Sequence, residues 1–254
     1  MSSHHKKILT IGLGGATCGG KSTLARLLCK LFGEKSCQKL NQDDFYFSEN
    51  YTGHTFLPEF THINWELESA FDNAKLVKTV NEFVENSRKT NINSVATTSV
   101  VSKKNIESVI QTLEDPQTRE SLLKAEEVEL SPWCQKLFER FELGHQLLVV
   151  EGIHVLSNNQ LLDLCDLKVY VTLDHKTCTQ RRQLRSYDPP DPPNYFQKIV
   201  WPTYAEQFDR LKLKSSNSDC IHFLDGRKPL SENFLHLLQL ILRYCAAKEQ
   251  PQSN

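Results

Sequence analysis

Apolar positions along this chain follow two alternating rhythms, one of period two and one near 3.6. Ile8-Leu9-Thr10-Ile11-Gly12-Leu13 is a short, β-branched apolar run of the kind buried in a parallel sheet. Glycines at 12, 14, 15, 19 and 20 interrupt it. From Lys21 to Phe32 the apolar residues fall at 24, 27, 28, 31 and 32, the spacing of one helix face. The opening therefore predicts a strand, a glycine loop and a helix in succession. A short strand is expected at 37–41, and Leu67, Phe71, Leu76, Val80 and Phe83 predict a helix over 66–88. A helix from Pro132 to Leu143, closed by Gly144, leads into the strand Gln146–Val150. Beyond it the pattern predicts a strand over Lys168–Leu173, an Arg-rich helix at about 175–186 and a helix over roughly 195–213. A strand at Ile221–Leu224 and a last helix at about 231–247 complete the series.

Strands alternating with helices imply a parallel sheet covered on both faces, an α/β three-layer sandwich. The stretch 90–130 breaks the rhythm. Ser, Thr, Asn, Lys and Glu dominate it, aromatics are absent and Asp115-Pro116 interrupts it. It is expected to be a polar insertion with a solvated surface, partly helical near 119–128 and mobile over 90–118.

Composition narrows the class. At 254 residues the chain suits one domain, 1–254, with this insertion inside it. Thirty basic residues against 31 acidic ones supply no field that would favour nucleic acid or a membrane surface as a partner. Apolar runs such as Leu147–Val150 are far too short to span a bilayer, and Met1–Lys7 leads straight into a strand without a signal-peptide pattern. The eight cysteines are scattered, with no metal-ligand spacing. They read as reduced thiols of a cytoplasmic protein, with Cys29 and Cys245 as core fillers.

The chemistry lies first in Gly15-Ala16-Thr17-Cys18-Gly19-Gly20-Lys21-Ser22, which satisfies G-x-x-x-x-G-K-[ST]. Glycines let backbone N–H groups turn into an anion-sized nest. Lys21 sets a positive charge against the β- and γ-phosphates, the Ser22 hydroxyl can ligate Mg²⁺, and the helix that continues through Thr23 adds its positive dipole end. A chance match in a chain of this length arises about once in a hundred, and the flanking strand and helix make it rarer. The overlapping dinucleotide pattern fails, with Thr17 where its third glycine should stand. ATP binding follows.

Three further places bear on the reaction. Gln42-Asp43-Asp44-Phe45-Tyr46 follows a strand, on the rim where parallel sheets bind ligands. A carboxylate there can take the proton of an attacking hydroxyl or hold Mg²⁺, or it can simply cap a turn. Glu151, directly after the strand 146–150, occupies a position suited to orienting Mg²⁺ or its water. Arg181, Arg182 and Arg185, with Tyr187, lie before a double diproline turn. Arg181 and Arg185 are expected on one helix face, as an arginine lid over the nucleotide. A guanine-reading N-K-x-D and a D-x-x-G switch are both missing, which argues against a GTPase, and the chain lacks the Asp-Glu pair of motor ATPases. These residues favour a kinase acting on a small nucleoside-like hydroxyl.

The P-loop, Gln-Asp-Asp-Phe, Val-Glu-Gly, Arg-Arg-x-x-Arg-x-Tyr-x-Pro-Pro-Asp, Tyr195-Phe196, Val200-Trp201-Pro202-x-Tyr204 and Leu224-Asp225-Gly226 together resemble the nicotinamide riboside kinases of the uridine-kinase-like group. The resemblance covers about 1–88 and 145–245. It implies transfer of the ATP γ-phosphoryl group to the 5′-hydroxyl of nicotinamide riboside, with nicotinic acid riboside as a further acceptor and Mg²⁺ as cofactor. It maps the general base and metal partner to Asp43, with Lys21 and Glu151 beside it, and riboside contacts to Trp65-Glu66, Arg182, Tyr187, Asp188 and the Asp44-Phe45-Tyr46 stretch. ATP contacts fall on Arg181, Arg185, Ser186, Tyr187 and, near the adenine, Lys228. A pyridinium held between Trp65 and Tyr187 would gain cation–π attraction. The chain departs from the family at Glu66, where Asp is usual, and at the 90–130 insertion. Uridine, cytidine or pantothenate phosphorylation on the same scaffold is the alternative within the enzymes. A non-catalytic nucleotide-gated adaptor, using the insertion to bind a partner, is the alternative outside them. The expected assembly is a monomer or weak dimer, without nucleic acid or membrane partners.

Overall fold

The computed structural model describes residues 8–89, 109, 132–142, 145–217 and 220–247. Strand β1 (Ile8–Gly15) runs into helix α1 (Lys21–Phe32), and β2 (Cys37–Asn41) follows. A two-stranded hairpin, β3 (Phe56–Leu57) and β4 (His62–Ile63), precedes α2 (Asn73–Lys89). After α3 (Pro132–Glu142) come β5 (Gln146–Glu151), α4 (Asn159–Leu164), β6 (Leu167–Thr172) and α5 (His175–Gln183). The chain then forms α6 (Trp201–Asn217), β7 (Ile221–Asp225) and α7 (Leu230–Ala247).

Five strands form one parallel sheet in the order β2-β5-β1-β6-β7. Alternation along β5 shows why helices cover both faces. Leu147 and Val149 pack on the side of α1, α3 and α7, whereas Leu148 and Val150 face α2, α4 and α6. A Cβ on Gly12 would meet the Cys165 sulfur at 2.5 Å, so this position in β1 admits only glycine while α4 lies so close. Chain order reverses on either side of β1. The crevice beyond the C-terminal ends of β1, β5 and β6 is thus where an α/β sheet binds ligands.

Several elements depart from the periodicity. The predicted helix over 66–88 begins only at Asn73, because Asp72 accepts the Lys75 amide at 2.9 Å and caps it there, and Glu68–Ala70 is a 3₁₀ turn. The Arg-rich helix stops at Gln183, with the Leu184 amide bonded to the Arg181 carbonyl and the Arg185 amide to the Arg182 carbonyl. Arg181 and Arg185 therefore do not share a helix face. The expected helix from 195 opens as a π-turn at Phe196–Val200 ahead of α6. Pro202, which has no N–H to donate and crowds the preceding turn, accounts for the wider winding. Helix α4 and the β3–β4 hairpin are too short to leave a periodic signal.

Cys245 is a core residue as expected, whereas Cys29 is half-buried with its sulfur 3.4 Å from that of Cys37. The expected insertion lies outside the described residues except for Val109. That residue is helical and fully buried in the core beneath α1 and α7, so at this point the segment does not serve as solvated surface. No helix among the described residues is long and apolar enough to cross a membrane.

Candidate active site

The P-loop takes its shape from three left-handed backbone positions, Gly15 (φ 133°), Cys18 (φ 59°) and Gly20 (φ 95°). A Cβ on Gly15 would sit 2.2 Å from the Val171 carbonyl oxygen, so β6 itself excludes a side chain there. Gly20 leaves the first turn of α1 without a side-chain cap, and no acidic residue occupies that turn. The free amides and the dipole end remain available to an anion. Lys21 is buried and donates to the carbonyls of Gly15 (3.1 Å) and Ala16 (2.8 Å). Burial lowers its pKa, while Glu151 and Asp43 oppose the shift.

Glu151 ends β5, directly across from Leu13. Its carboxylate accepts the Ser22 hydroxyl at 3.0 Å, and the Lys39 ammonium stands 3.8 Å from the other oxygen. That second oxygen, Oε1, is buried and lacks a hydrogen-bond donor. An orphaned carboxylate oxygen beside a hydroxyl is an all-oxygen donor set that suits Mg²⁺, which keeps most of its waters. Asp43 sits one turn beyond β2, where the side chain of Asn41 accepts the Asp43 amide and so performs the capping that could have occupied the Asp43 carboxylate. Asp43 keeps contact with solvent, yet the protein wall around it raises its pKa against the pull of Lys21.

Beside this rim lies a cavity of about 380 Å³. Thr17 and Asp43 bound its end nearest the P-loop. Tyr46, Trp65 and Tyr187 form aromatic wall, with Glu66, Arg182, Arg185 and Asp188 among its charged groups. Arg182, 7% exposed, is its electrostatic centre. It makes a two-point contact with Asp191 (2.7 and 3.0 Å), reaches Glu66 at 3.4 Å and donates to the Thr17 hydroxyl at 3.3 Å. Burial works against its charge, but the bond from Asp191 and the charge of Glu66 hold its pKa above the ordinary value. Burial raises the pKa of Glu66, and Arg182 counters it. The added methylene of Glu66 thus ends against an arginine.

Arg181 donates to the Cys18 carbonyl at 3.3 Å, so the arginine segment and the P-loop touch directly. The Arg182 guanidinium covers one face of Tyr187, 4.3 Å from the ring centroid. Only the other face can meet a planar base. Trp65 packs edge-on against Tyr46 and His54, and its indole N–H is buried without an acceptor.

Not every expected residue gathers here. Asp44 and Phe45 do not line the cavity; Asp44 is exposed, and the Lys75 ammonium sits over the Phe45 ring. The 3₁₀ turn at Gln42–Phe45 aims successive side chains about a third of a turn apart, so Asp43 cannot bring its neighbours with it. Ser186 is exposed and lines a neighbouring cavity with Thr179 and Gln197. Lys228 is exposed and paired with Glu232, although the turn preceding it abuts the P-loop at Gly19. Phe47, Glu49, Ile153, Asp191 and Tyr195 line the cavity without having been singled out for it. Asp191 and Tyr195 stood within quoted motifs, whereas nothing in the sequence pointed to Ile153.

The model of the Phosphoribulokinase / Uridine kinase family matches residues 10–188, well over half of the chain. The chain belongs to this family. Among its relatives, nicotinamide riboside kinase 1 of Rattus norvegicus is 25% identical over 228 residues, covering 90% of this chain and 91% of that protein. A uridine kinase of Clostridium perfringens is 25% identical over 185 residues, covering 71% and 69%. Among solved structures, a sugar kinase from Janibacter sp. HTCC2649 aligns over 92% of this chain and 94% of its own at 9% identity, with a TM-score of 0.40. Family membership and the parallel sheet order make this a P-loop kinase fold, and the protein a phosphotransferase of that family.

Proposed function

We propose that this kinase transfers the γ-phosphoryl group of ATP to the 5′-hydroxyl of nicotinamide riboside, yielding nicotinamide mononucleotide for NAD synthesis, and that nicotinic acid riboside is a second acceptor. The observation that carries the reading is the charge of the acceptor cavity. Five carboxylates (Asp43, Glu49, Glu66, Asp188 and Asp191) line it against two guanidinium groups, Arg182 and Arg185, alongside Tyr46, Trp65 and Tyr187. A cationic pyridinium ring gains from that acidity and from the free aromatic faces, whereas a neutral uracil gains only stacking. The relatives named nicotinamide riboside kinase support the same choice.

In this reading Asp43 accepts the proton of the 5′-hydroxyl, its raised pKa matching the task better than an ordinary carboxylate would. Lys21, Arg181 and Arg185 neutralise charge developing on the transferred group, with the amides of Thr17, Cys18 and Gly20 through Ser22 around the phosphates, while those of Ala16, Gly19 and Thr23 donate to the carbonyls of Val171, Ala16 and Gly20. Ser22, Glu151 and Asp43 would hold Mg²⁺, which supplies charge neutralisation to the β- and γ-phosphates. Glu66 and Asp188 face the ribose hydroxyls.

A panel of nicotinamide riboside, nicotinic acid riboside, uridine, cytidine and pantothenate, each with ATP and Mg²⁺, tests the assignment. Nicotinamide riboside should show the highest kcat/KM. Uridine or cytidine ahead of it would move the enzyme to the pyrimidine kinases, and ATP binding without turnover of any acceptor would leave an adaptor.

A further inference from the structure

His154 lies three residues beyond Glu151, is 3% exposed and takes no part in the chemistry above. Its bonds nevertheless join three separate segments. The ring Nε2 is 2.8 Å from the Glu66 carbonyl oxygen. A carbonyl only accepts, so Nε2 carries the proton, and Nδ1 is left to accept the Gln207 side-chain amide of α6 at 2.9 Å. The Ser157 hydroxyl stands 3.1 Å from both Nδ1 and the His154 carbonyl oxygen and can donate to either, which completes the local turn. The ring is therefore neutral, and burial lowers its pKa in the same sense.

The backbone of His154 reaches a second segment. Its amide donates to Gln42 Oε1 at 2.9 Å, and Gln42, fully buried, immediately precedes Asp43. The Gln42 amide donates to Asn73 Oδ1, and Asn73 in turn donates to the Glu68 carbonyl. Glu66 and Glu68 are thus gripped from both sides of one brace. The His154 ring also packs edge-on against Phe71, which stacks at 4.0 Å on Tyr46, and the Tyr46 hydroxyl donates to the Trp65 carbonyl. The contacts of His154 thus reach Glu66 of the acceptor cavity directly, Gln42 beside Asp43, and Tyr46 and Trp65 by way of Phe71.

We propose that His154 is a positioning residue for the acceptor: its Nε2–H fixes the backbone of Glu66, and so aims the Trp65-Glu66 pair into the acceptor cavity. This rests on Glu66 being an acceptor contact, as in the function proposed above, but not on which riboside is the acceptor. The ATP side touches none of the bonds of the ring, so the effect should fall on one substrate alone.

The test compares His154→Leu, His154→Gln and His154→Asn, each assayed with the riboside that the wild type phosphorylates best. A wild type preferring uridine would thus defeat the nicotinamide assignment and leave this comparison intact. Gln places an amide nitrogen where Nε2 stood, whereas Asn reaches only the Nδ1 position. His154→Leu and His154→Asn should raise the acceptor KM about tenfold, with the ATP KM within about twofold of wild type. His154→Gln should recover the acceptor KM to within about threefold. A purely structural His154 would lower Tm and kcat in all three variants and leave the acceptor KM unmoved, and that result would overturn the proposal. So would equal acceptor KM values for His154→Gln and His154→Asn, a comparison that holds even if Leu is not accommodated.

Discussion

The two halves of the site are built differently. In the proposed function the core of the nucleotide half is one continuous segment, Gly15–Thr23, joined by Arg181 and Arg185, and its shape depends on left-handed positions at Gly15, Cys18 and Gly20 and on a helix start. Its ligand groups are mostly backbone amides, so its chemistry is local. The acceptor half draws on the 3₁₀ turn at Gln42–Phe45, the segment after the β3–β4 hairpin, the turn after β5 and the arginine segment after α5. Its ligand groups are side chains, several of them buried and charged, held by bonds from elsewhere. A local device tolerates distant change, whereas an assembled pocket depends on its supports.

The sharpest contrast should come from one substitution in each half. Asp43→Asn should lower kcat by about a thousandfold or more while ATP affinity stays within a few-fold, because in the proposed function Asp43 takes the hydroxyl proton and is only one of three groups that would hold Mg²⁺. Lys21→Ala should lower kcat on a similar scale and weaken ATP binding as well, as nucleotide titration would show. Retention of most activity by Asp43→Asn would shift the base to Glu151.

Next in size is the buried ion network. Arg182→Met strips Glu66 and Asp191 of their partner and should cost about 3 kcal/mol of stability, read as a lowered Tm or denaturation midpoint. Adding Glu66→Gln should restore part of that loss, because the carboxylate left unpaired is then gone. Additive effects would show that the pair is not coupled. No such coupling is expected between Lys21 and residues of the acceptor half other than Asp43 and Arg185.

A smaller effect should appear in the pH dependence of stability. Burial lowers the pKa of His154 in the folded chain, opposed by its hydrogen bond to the Glu66 carbonyl and by the charge of Glu68. The unfolded state then binds the extra proton first, so the stability that neutral His154 supports is complete above about pH 6.5 and declines as pH falls below it. Wild-type Tm should drop relative to His154→Gln as pH is lowered from about 8 to about 5. Least of all, Lys198→Ala breaks an exposed pair with Glu59 and a cation–π contact with Phe60 and should change stability by less than about 1 kcal/mol, the benchmark for contacts outside both halves.

Legibility in the sequence followed the same division. Helix α1 has the predicted bounds, and β1, β2, β5, β6 and β7 were all anticipated to within about two residues. Asp43, Trp65 and Tyr187 were named through motifs, and the structure brings them to one cavity. His154 carries no motif, and Gln42, although it opens the Gln-Asp-Asp-Phe motif, was given no role there. A buried histidine or glutamine matters only through its partners, here 88 and 112 residues away in the chain. The early stop of α5 and the late start of α2 were set by individual capping bonds that periodicity does not register.

By itself, then, the sequence determined the P-loop, the alternation of strand and helix and with them the kinase class, because each depends on residues adjacent in the chain. Tertiary structure alone decided that Glu66 meets Arg182, that Arg182 covers a face of Tyr187 and that His154 braces both ends of the acceptor segment. Those contacts arise only when the parallel sheet brings the turns after β2, β5 and β6 to one edge, and hydrogen bonds and buried charges act over ångströms of space, not over positions in the chain.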